Sequence, residues 1–312
     1  MGKGVWAVGV ALGGLLLAGS LGKAQEGPLP ANVVYDQGKR LLRVYQWDAA
    51  REKFLGAIAA DPQGQWGARA HLWYAHSYLD TGKPEIAEPI LDLVIAQRAY
   101  FPAVVAQAWT HKGAMRVERQ EYEQAIPFFE KARDLNATPF TAAEAWLNLA
   151  EVRCRLKDYE RALADTAEAE KISQDGFILE SVYHWRGVCY GYLQRWEEAL
   201  AAWRASLALN RSPQMNAASR LSIVDTYHWM GKDDEAITEA EAIARDYALL
   251  YQHAAQALAK IVEIERERGN QERALAVLKR MEEVYPYASS TLVVRQWFAR
   301  GAPAPEAAPG QP

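Results

Sequence analysis

The side chains able to do chemistry are few and poorly spaced for it. His71 and His76 stand five residues apart and Cys154 and Cys189 thirty-five apart with no CxxC, so neither pair has metal-ligand spacing. The chain has no GxxxxGKS/T phosphate loop, no GxSxG nucleophile elbow and no HExxH metal helix, and its glycine clusters fall only near the N-terminus. Adjacent acids such as Asp233 and Asp234, or Glu282 and Glu283, read as solvated helix faces. No catalytic, cofactor-binding or metal-binding residue is therefore expected, and the chain reads as a non-enzyme. Asn136-Ala-Thr138 is a formal glycosylation acceptor, meaningful only in a eukaryotic source.

Charge narrows the classes further. Among 312 residues, 35 Lys and Arg against 39 Asp and Glu leave a net charge of -4, too little positive surface to hold a nucleic-acid backbone or an anionic membrane. Two cysteines make no disulfide framework. In an exported protein Cys154 and Cys189 are expected either as buried free thiols, the commoner outcome, or as an oxidised pair. Their places in the helical repeat point them to different faces.

Residues 1–24 differ in kind from the rest. Lys3 and the free amine precede an uncharged run, Val5 to Leu17, and then small residues, the three-part pattern of a secretory signal. Cleavage fits after Ala24, with Gly22 at -3, in preference to after Ser20, with Ala18 at -3. The alternative is an uncleaved membrane anchor, since residues 5–22 make 18 and reach the lower bound for a span, although their glycines and shortness weigh against it. No cysteine lies near the end of the apolar run, which excludes a lipoprotein anchor. Residues 25–30 read as a linker.

The elements that must position any site are periodic. Ala50, Ala87, Ala125, Ala162, Ala199, Ala236 and Ala274 are separated by 37, 38, 37, 37, 37 and 38 residues. The same words recur around each, as in Tyr122-Glu-Gln-Ala125 and Tyr159-Glu-Arg-Ala162. Upstream of them lie Trp109 and Gly113, Trp146 and Ala150, and Tyr183, Gly187 and Tyr190, at spacings of 3, 4 and 7 that put them on one helix face. Each helix pair has an apolar face too small to bury alone, so the pairs must stack.

These residues resemble the tetratricopeptide repeat, which has Trp or Tyr, a small residue and Tyr in its first helix, then Tyr, Ala, Phe, Ala and Pro in the second. With the recurring alanine at repeat position 20, seven units begin near Ala31, Ala68, Ala106, Ala143, Glu180, Ala217 and Ala255. Position 8, where two helices nearly touch, holds Gly38, Ala75, Gly113, Ala150, Gly187, Val224 and Val262, so the last two units depart from the small-residue rule. The period of about 37 exceeds the commonest 34 and is expected to lengthen the linkers. Pro139 and Pro213 read as shifted closing prolines. Pro89 and Pro127, two residues past the alanine, are expected in the first turn of their helices, where proline costs little. The resemblance implies an all-α, right-handed α-α superhelix over residues 31–288. A capping helix follows at 289–300, where Leu292, Val293, Gln296 and Trp297 keep helical spacing, and then a disordered Pro/Ala/Gly tail at 301–312.

The resemblance also implies where a partner lies. First helices of such repeats line a concave face, with positions 2, 5, 9, 12 and 13 toward the groove. Those slots hold Tyr35 and Lys39 in unit one, Arg69 and His76 in unit two, Arg155 in unit four, His184 and Tyr192 in unit five, and Leu221, Asp225, His228 and Trp229 in unit six, with the centre expected in units five and six. The Lys and Asn clamp of chaperone-binding members is not reproduced, which lowers that reading. Aromatic and imidazole groups beside aliphatic ones are the mixture that anchors peptide side chains. The alternative is that Tyr192 and Trp229 merely pack against each other. The expected partner is a protein or extended peptide, with no nucleic acid, and with membrane contact only through the N-terminal segment if that is uncleaved. The unit Ala274 to Pro286 looks like repeats of bacterial envelope proteins. The expectation is a non-enzymatic binding scaffold of the periplasm or cell envelope, periplasmic or secreted; the alternative is an inner-membrane-anchored subunit organising a membrane complex or polysaccharide-export machinery.

Overall fold

A computed structural model describes residues 29–97 and 99–300. The expected signal at 1–24, the linker residues 25–28 and the tail at 301–312 lie outside the described residues. Within them the chain forms helices and no strand. Seven antiparallel pairs follow one another: α1 (Ala31–Arg43) with α2 (Trp47–Ala60), α3 (Gln65–Leu79) with α4 (Pro84–Gln97), α5 (Pro102–Glu118) with α6 (Tyr122–Asp134), α7 (Pro139–Arg155) with α8 (Tyr159–Ile172), α9 (Gly176–Tyr192) with α10 (Trp196–Leu209), α11 (Pro213–Trp229) with α12 (Asp233–Asp246), and α13 (Tyr251–Glu267) with α14 (Gln271–Val284). A last helix, α15 (Ser289–Arg300), covers α13 and α14 as the expected cap. No helix among the described residues is long and apolar enough to cross a membrane.

Each pair closes on a size match. All seven recurring alanines are fully buried. One turn on, at position 24, stand Phe54, Leu91, Phe129, Thr166, Trp203, Ala240 and Leu278, each in the same unit as its position-8 residue. Where position 24 is a ring, position 8 is glycine: a Cβ built on Gly38, Gly113 or Gly187 would stand 2.6, 2.5 and 2.5 Å from Phe54, Phe129 and Trp203. Of the two valines that break the small-residue rule, Val224 is explained the same way, whereas Val262, opposite Leu278, is not. Val224 faces a unit whose position 24 is only Ala240, and both are fully buried in one cluster.

The turn inside each pair is also built once and used seven times. Position 15 is left-handed in every unit, at Tyr45, Gly82, Gln120, Lys157, Gln194, Gly231 and Gly269. The amide after it bonds back to the carbonyl five residues earlier, as Asp158 N–H does to Arg153 and Arg195 N–H to Tyr190. This left-handed closure satisfies carbonyls that the helix end leaves open and reverses the chain in three residues, or four in unit two.

Four sequence expectations change. The longer period does not lengthen the linkers, which hold only three or four residues; α5, α7, α9, α11 and α13 instead run 17 residues and begin four before position 1. Pro139 and Pro213 therefore open α7 and α11 rather than close the units before them, a place where a missing N–H costs nothing. Pro89 and Pro127 lie deeper than the first turn, each sixth in its helix. They are tolerated because they and the residues four before them, Glu85 and Glu123, are exposed, so the unpaired carbonyls face water. Finally, Cys154 and Cys189 do not diverge. Both are free, buried in one cluster between α7 and α9, and the Cys189 thiol is hydrogen-bonded to Cys154. Two positions that diverge on one helix wheel meet when they lie on the facing sides of neighbouring helices.

Successive first helices run side by side along the stack, except that α9 and α11 do not pack closely. Trp203, the largest of the position-24 residues, sits in the core at that junction with Ile223 of α11.

Candidate peptide-binding groove

The residues expected to form a groove centre in units five and six do lie on first helices, but the fold has already engaged them. Tyr192 stacks face to face on Tyr159, with centroids 4.8 Å apart and planes 9° apart. Trp229 leans on Trp196 at 5.9 Å and passes beside Gly191. Arg155 lies 5.9 Å over Tyr122 and pairs with Glu151 at 2.9 Å. These three contacts are one rule repeated: position 13 of a unit covers the aromatic at position 17 of the unit before it. Tyr192 and Trp229 thus pack across repeat junctions, though not on each other.

The remaining expected residues are held as firmly. His184 sits edge-on to Trp185 and Trp203, at 5.2 and 5.6 Å, and burial pushes its pKa down. His228 meets a carboxylate at each nitrogen, Asp233 at 2.8 Å and Glu267 at 3.2 Å. Asp225 pairs with Lys260 at 2.9 Å, and burial raises its pKa against that pull. Leu221 packs on the C-terminal core cluster. His76 is far from this group, stacked 4.9 Å from His111 and edge-on to Trp73 at 4.8 Å. The eight side chains therefore lie on first helices without converging on one point.

A hollow of about 510 Å³ opens instead at the other end of the same face, across α1, α3, α5 and α7. Its walls are aromatic: Tyr35 from α1, Trp73 from α3, Tyr100 and Phe101 before α5, and Phe140 in the first turn of α7. Tyr100 is 93% exposed and Phe140 43% exposed, so the rim offers large rings to solvent. The α5 and α7 contributions come from the extra N-terminal turns and the loops before them. Asp61 uses its carboxylate to accept the Trp66 and Gly67 amides at 2.9 and 3.4 Å, fixing the start of α3. Thr138 and Thr141 cap the start of α7 reciprocally.

Two cations stand at this end, with Asp36 acting on Tyr35 and Asp80 on Lys39. Arg69 lies in the wall 5.1 Å from the Trp66 ring, and Lys39 lies over the ring of Trp73. Burial, then the nearby Arg43, push the Lys39 ammonium down to about 8. Burial also raises the Tyr35 phenol. Among the described residues no Asp or Glu lines the hollow.

The tetratricopeptide repeat profile matches residues 75–140 and 116–176, within the stretch where the helix pairs and the alanine register were found. Over residues 75–176 the chain carries tetratricopeptide repeats. No curated protein matches it by sequence. Among solved structures, the pilF protein of Pseudomonas aeruginosa superposes with a TM-score of 0.55 at 16% identity, over 70% of this chain and 92% of that one. PilW, described as a widely conserved type IV pilus biogenesis factor, gives 0.56 at 14% identity over 85% and 98%. A Rap protein complexed with Competence and Sporulation Factor gives 0.55 at 15% over 81% and 76%. At these identities the likeness is one of fold.

Within the tetratricopeptide frame only part of the hollow is open to position-by-position reading. Tyr35 and Arg69 occupy groove slots 5 and 2, and both were legible as such. Tyr100, Phe101 and Phe140 precede position 1 of their units, outside the repeat pattern altogether. The available signal was three aromatics placed in or beside short inter-repeat linkers, where nothing in the core calls for them.

Proposed function

We propose that this protein is a non-enzymatic scaffold of the bacterial periplasm or cell envelope that holds a partner through an extended peptide. The peptide lies along the first-helix face with its apolar side chains in the hollow of units one to four. One observation carries this reading: solvent-facing rings, Tyr100 and Phe140, rim a cavity walled by Tyr35, Trp73 and Phe101. Rigid aromatic anchors around a preformed concavity are what peptide side chains use, and exposing such rings has no packing benefit. The Rap protein's complex with Competence and Sporulation Factor supports partner binding by a stack of this kind, and the role of PilW as a type IV pilus biogenesis factor supports the envelope reading. The expected signal at residues 1–24 gives the location its own support.

The test has two arms. Peptides selected by display against the full chain should bind Trp73→Ala and Tyr100→Ala at least about 30-fold more weakly, as truncation of a hot spot costing about 2 kcal/mol requires. Tyr192→Ala, Trp229→Ala and the distant Lys279→Ala should bind as the parent does, with helicity and melting checked for each. If the groove variants in units five and six lose binding instead, the centre lies there. For location, the mature chain should begin near Gln25 and appear in a periplasmic fraction. Intact Met1 to Pro312 recovered with membranes would favour the anchored subunit.

A further inference from the structure

Cations that are half-buried in this stack are nearly always neutralised. Arg153 holds Asp165, Arg186 holds Glu170 at 2.6 Å, Arg220 holds Glu239 and Asp246, and Lys260 holds Asp225 and Glu263. This is the expected outcome, since a charge taken out of water without a partner is costly. Lys39 and Arg69 are the departures. Both are half-buried, Arg69 lines the hollow and Lys39 lies over Trp73, which lines it too, and among the described residues neither has a carboxylate at ion-pair distance. The acids that act on this end are Asp36, beside Tyr35, and Asp80, which is paired with His76 at 3.5 Å. What Lys39 and Arg69 have instead are aromatic faces, Trp73 and Trp66, which supply a weaker attraction than an anion would. The start of α5 adds positive potential to the same wall. Its cap residue, Phe101, has no side-chain acceptor to offer, so the dipole end of a 17-residue helix is left without the carboxylate that α3 receives from Asp61.

Resting on the peptide-binding reading above, we infer that the hollow of units one to four takes an acidic peptide segment, with a carboxylate on Arg69 and Lys39 and its neighbouring apolar side chains on Trp73, Phe101 and Phe140. The guanidinium fork of Arg69 suits a carboxylate bidentately, and stacking on Trp66 holds that fork flat before the ligand arrives. Lys39, one turn beyond Tyr35 on α1, offers a point charge that a second acid can reach. Two cations framed by five rings fit one or two carboxylates on a partly apolar strand. They do not fit a phosphate backbone, which needs a continuous basic track. The carboxylate has two possible sources, a Glu or Asp side chain or the end of a chain, and the chemistry at Arg69 is the same for both.

The experiment is selection of a displayed random peptide library against the full chain, followed by synthesis of the enriched peptides in three forms: as selected, with each Glu or Asp replaced by Gln or Asn, and with the C-terminus amidated. Enriched sequences should combine acids with aromatic or aliphatic residues, and the neutralised form should bind at least about tenfold more weakly. Arg69→Gln and Lys39→Gln should erase that difference, while Arg69→Lys, which keeps the charge and most of the packing, retains part of it. Melting curves for all variants separate lost binding from lost folding. Loss on amidation alone assigns the carboxylate to a chain end; loss on side-chain neutralisation alone assigns it to Asp or Glu. If neutralised peptides bind as tightly as acidic ones, yet Trp73→Ala still abolishes binding, the acidic assignment is overturned and the groove stands. If no enriched peptide depends on Trp73 or Tyr100, the groove reading itself fails.

Discussion

The size match between positions 8 and 24 can be exchanged between repeats. Unit three pairs Gly113 with Phe129, whereas unit two pairs Ala75 with Leu91, and all four lie in the buried core. Gly113→Ala alone places a methyl 2.5 Å from the Phe129 ring, about an ångström inside ordinary contact. Overpacking of this kind costs about 1–3 kcal/mol, against which the better helix propensity of alanine returns about 1. The single variant should therefore lie between near-neutral and about 2 kcal/mol destabilised. Phe129→Leu alone leaves space over the glycine and should cost about 1–2 kcal/mol. The double variant installs the pair that unit two already carries. The overpacking penalty disappears, the helix gain stays, and the two changes should couple favourably by about 1–3 kcal/mol. Urea unfolding of the parent, both singles and the double, completed as a double-mutant cycle, gives the coupling directly. Additivity within about 0.5 kcal/mol would refute the argument that contact with the ring is what requires glycine at position 8.

Two other expectations come from the same structure. Lys157, left-handed at φ 64°, should gain up to about 1 kcal/mol on replacement by glycine, while Gly231→Ala, at φ 72°, should lose a similar amount; melting temperatures moving the other way would refute the shared turn. Burial, helped by His76, pushes the His111 pKa down to about 3, so its imidazole stays neutral in the folded chain while the unfolded chain protonates it near 6.5. Its contribution is intact above pH 6.5 and should be lost toward pH 3 by about 1.4 kcal/mol per unit, a slope that His111→Gln should remove from the pH dependence of urea unfolding.

The recurring alanine was sufficient to read seven helix pairs and their register, because a methyl group is the one side chain that fits where two helices close, and the demand repeats with every pair. Its partner rule was not legible in a comparison of like positions. Gly113 and Val224 look contradictory side by side and become consistent only against Phe129 and Ala240. The left-handed turn was hidden for a different reason: Tyr45, Gln120, Lys157 and Gln194 occupy a conformation that glycine would advertise. The groove residues were placed on the right helices. What the repeat pattern does not encode is which of them the neighbouring unit already covers, as Tyr159 covers Tyr192, or which linker rings fold into the face, as Tyr100 and Phe140 do.

That each ring and its small counterpart belong to one helix pair has a consequence for how such a chain can be rearranged. A crossover in a linker between pairs, anywhere from residue 61 to residue 288, moves both halves of a match together and leaves every closure intact. A crossover at the turn inside a pair separates them. Joining α5 to α12 would set Gly113 against Ala240 and open a void, and joining α11 to α6 would drive Phe129 into Val224. Duplication, loss or grafting of this protein's units is thus expected to be productive in one reading frame of modules only, starting at a first helix and ending at a second.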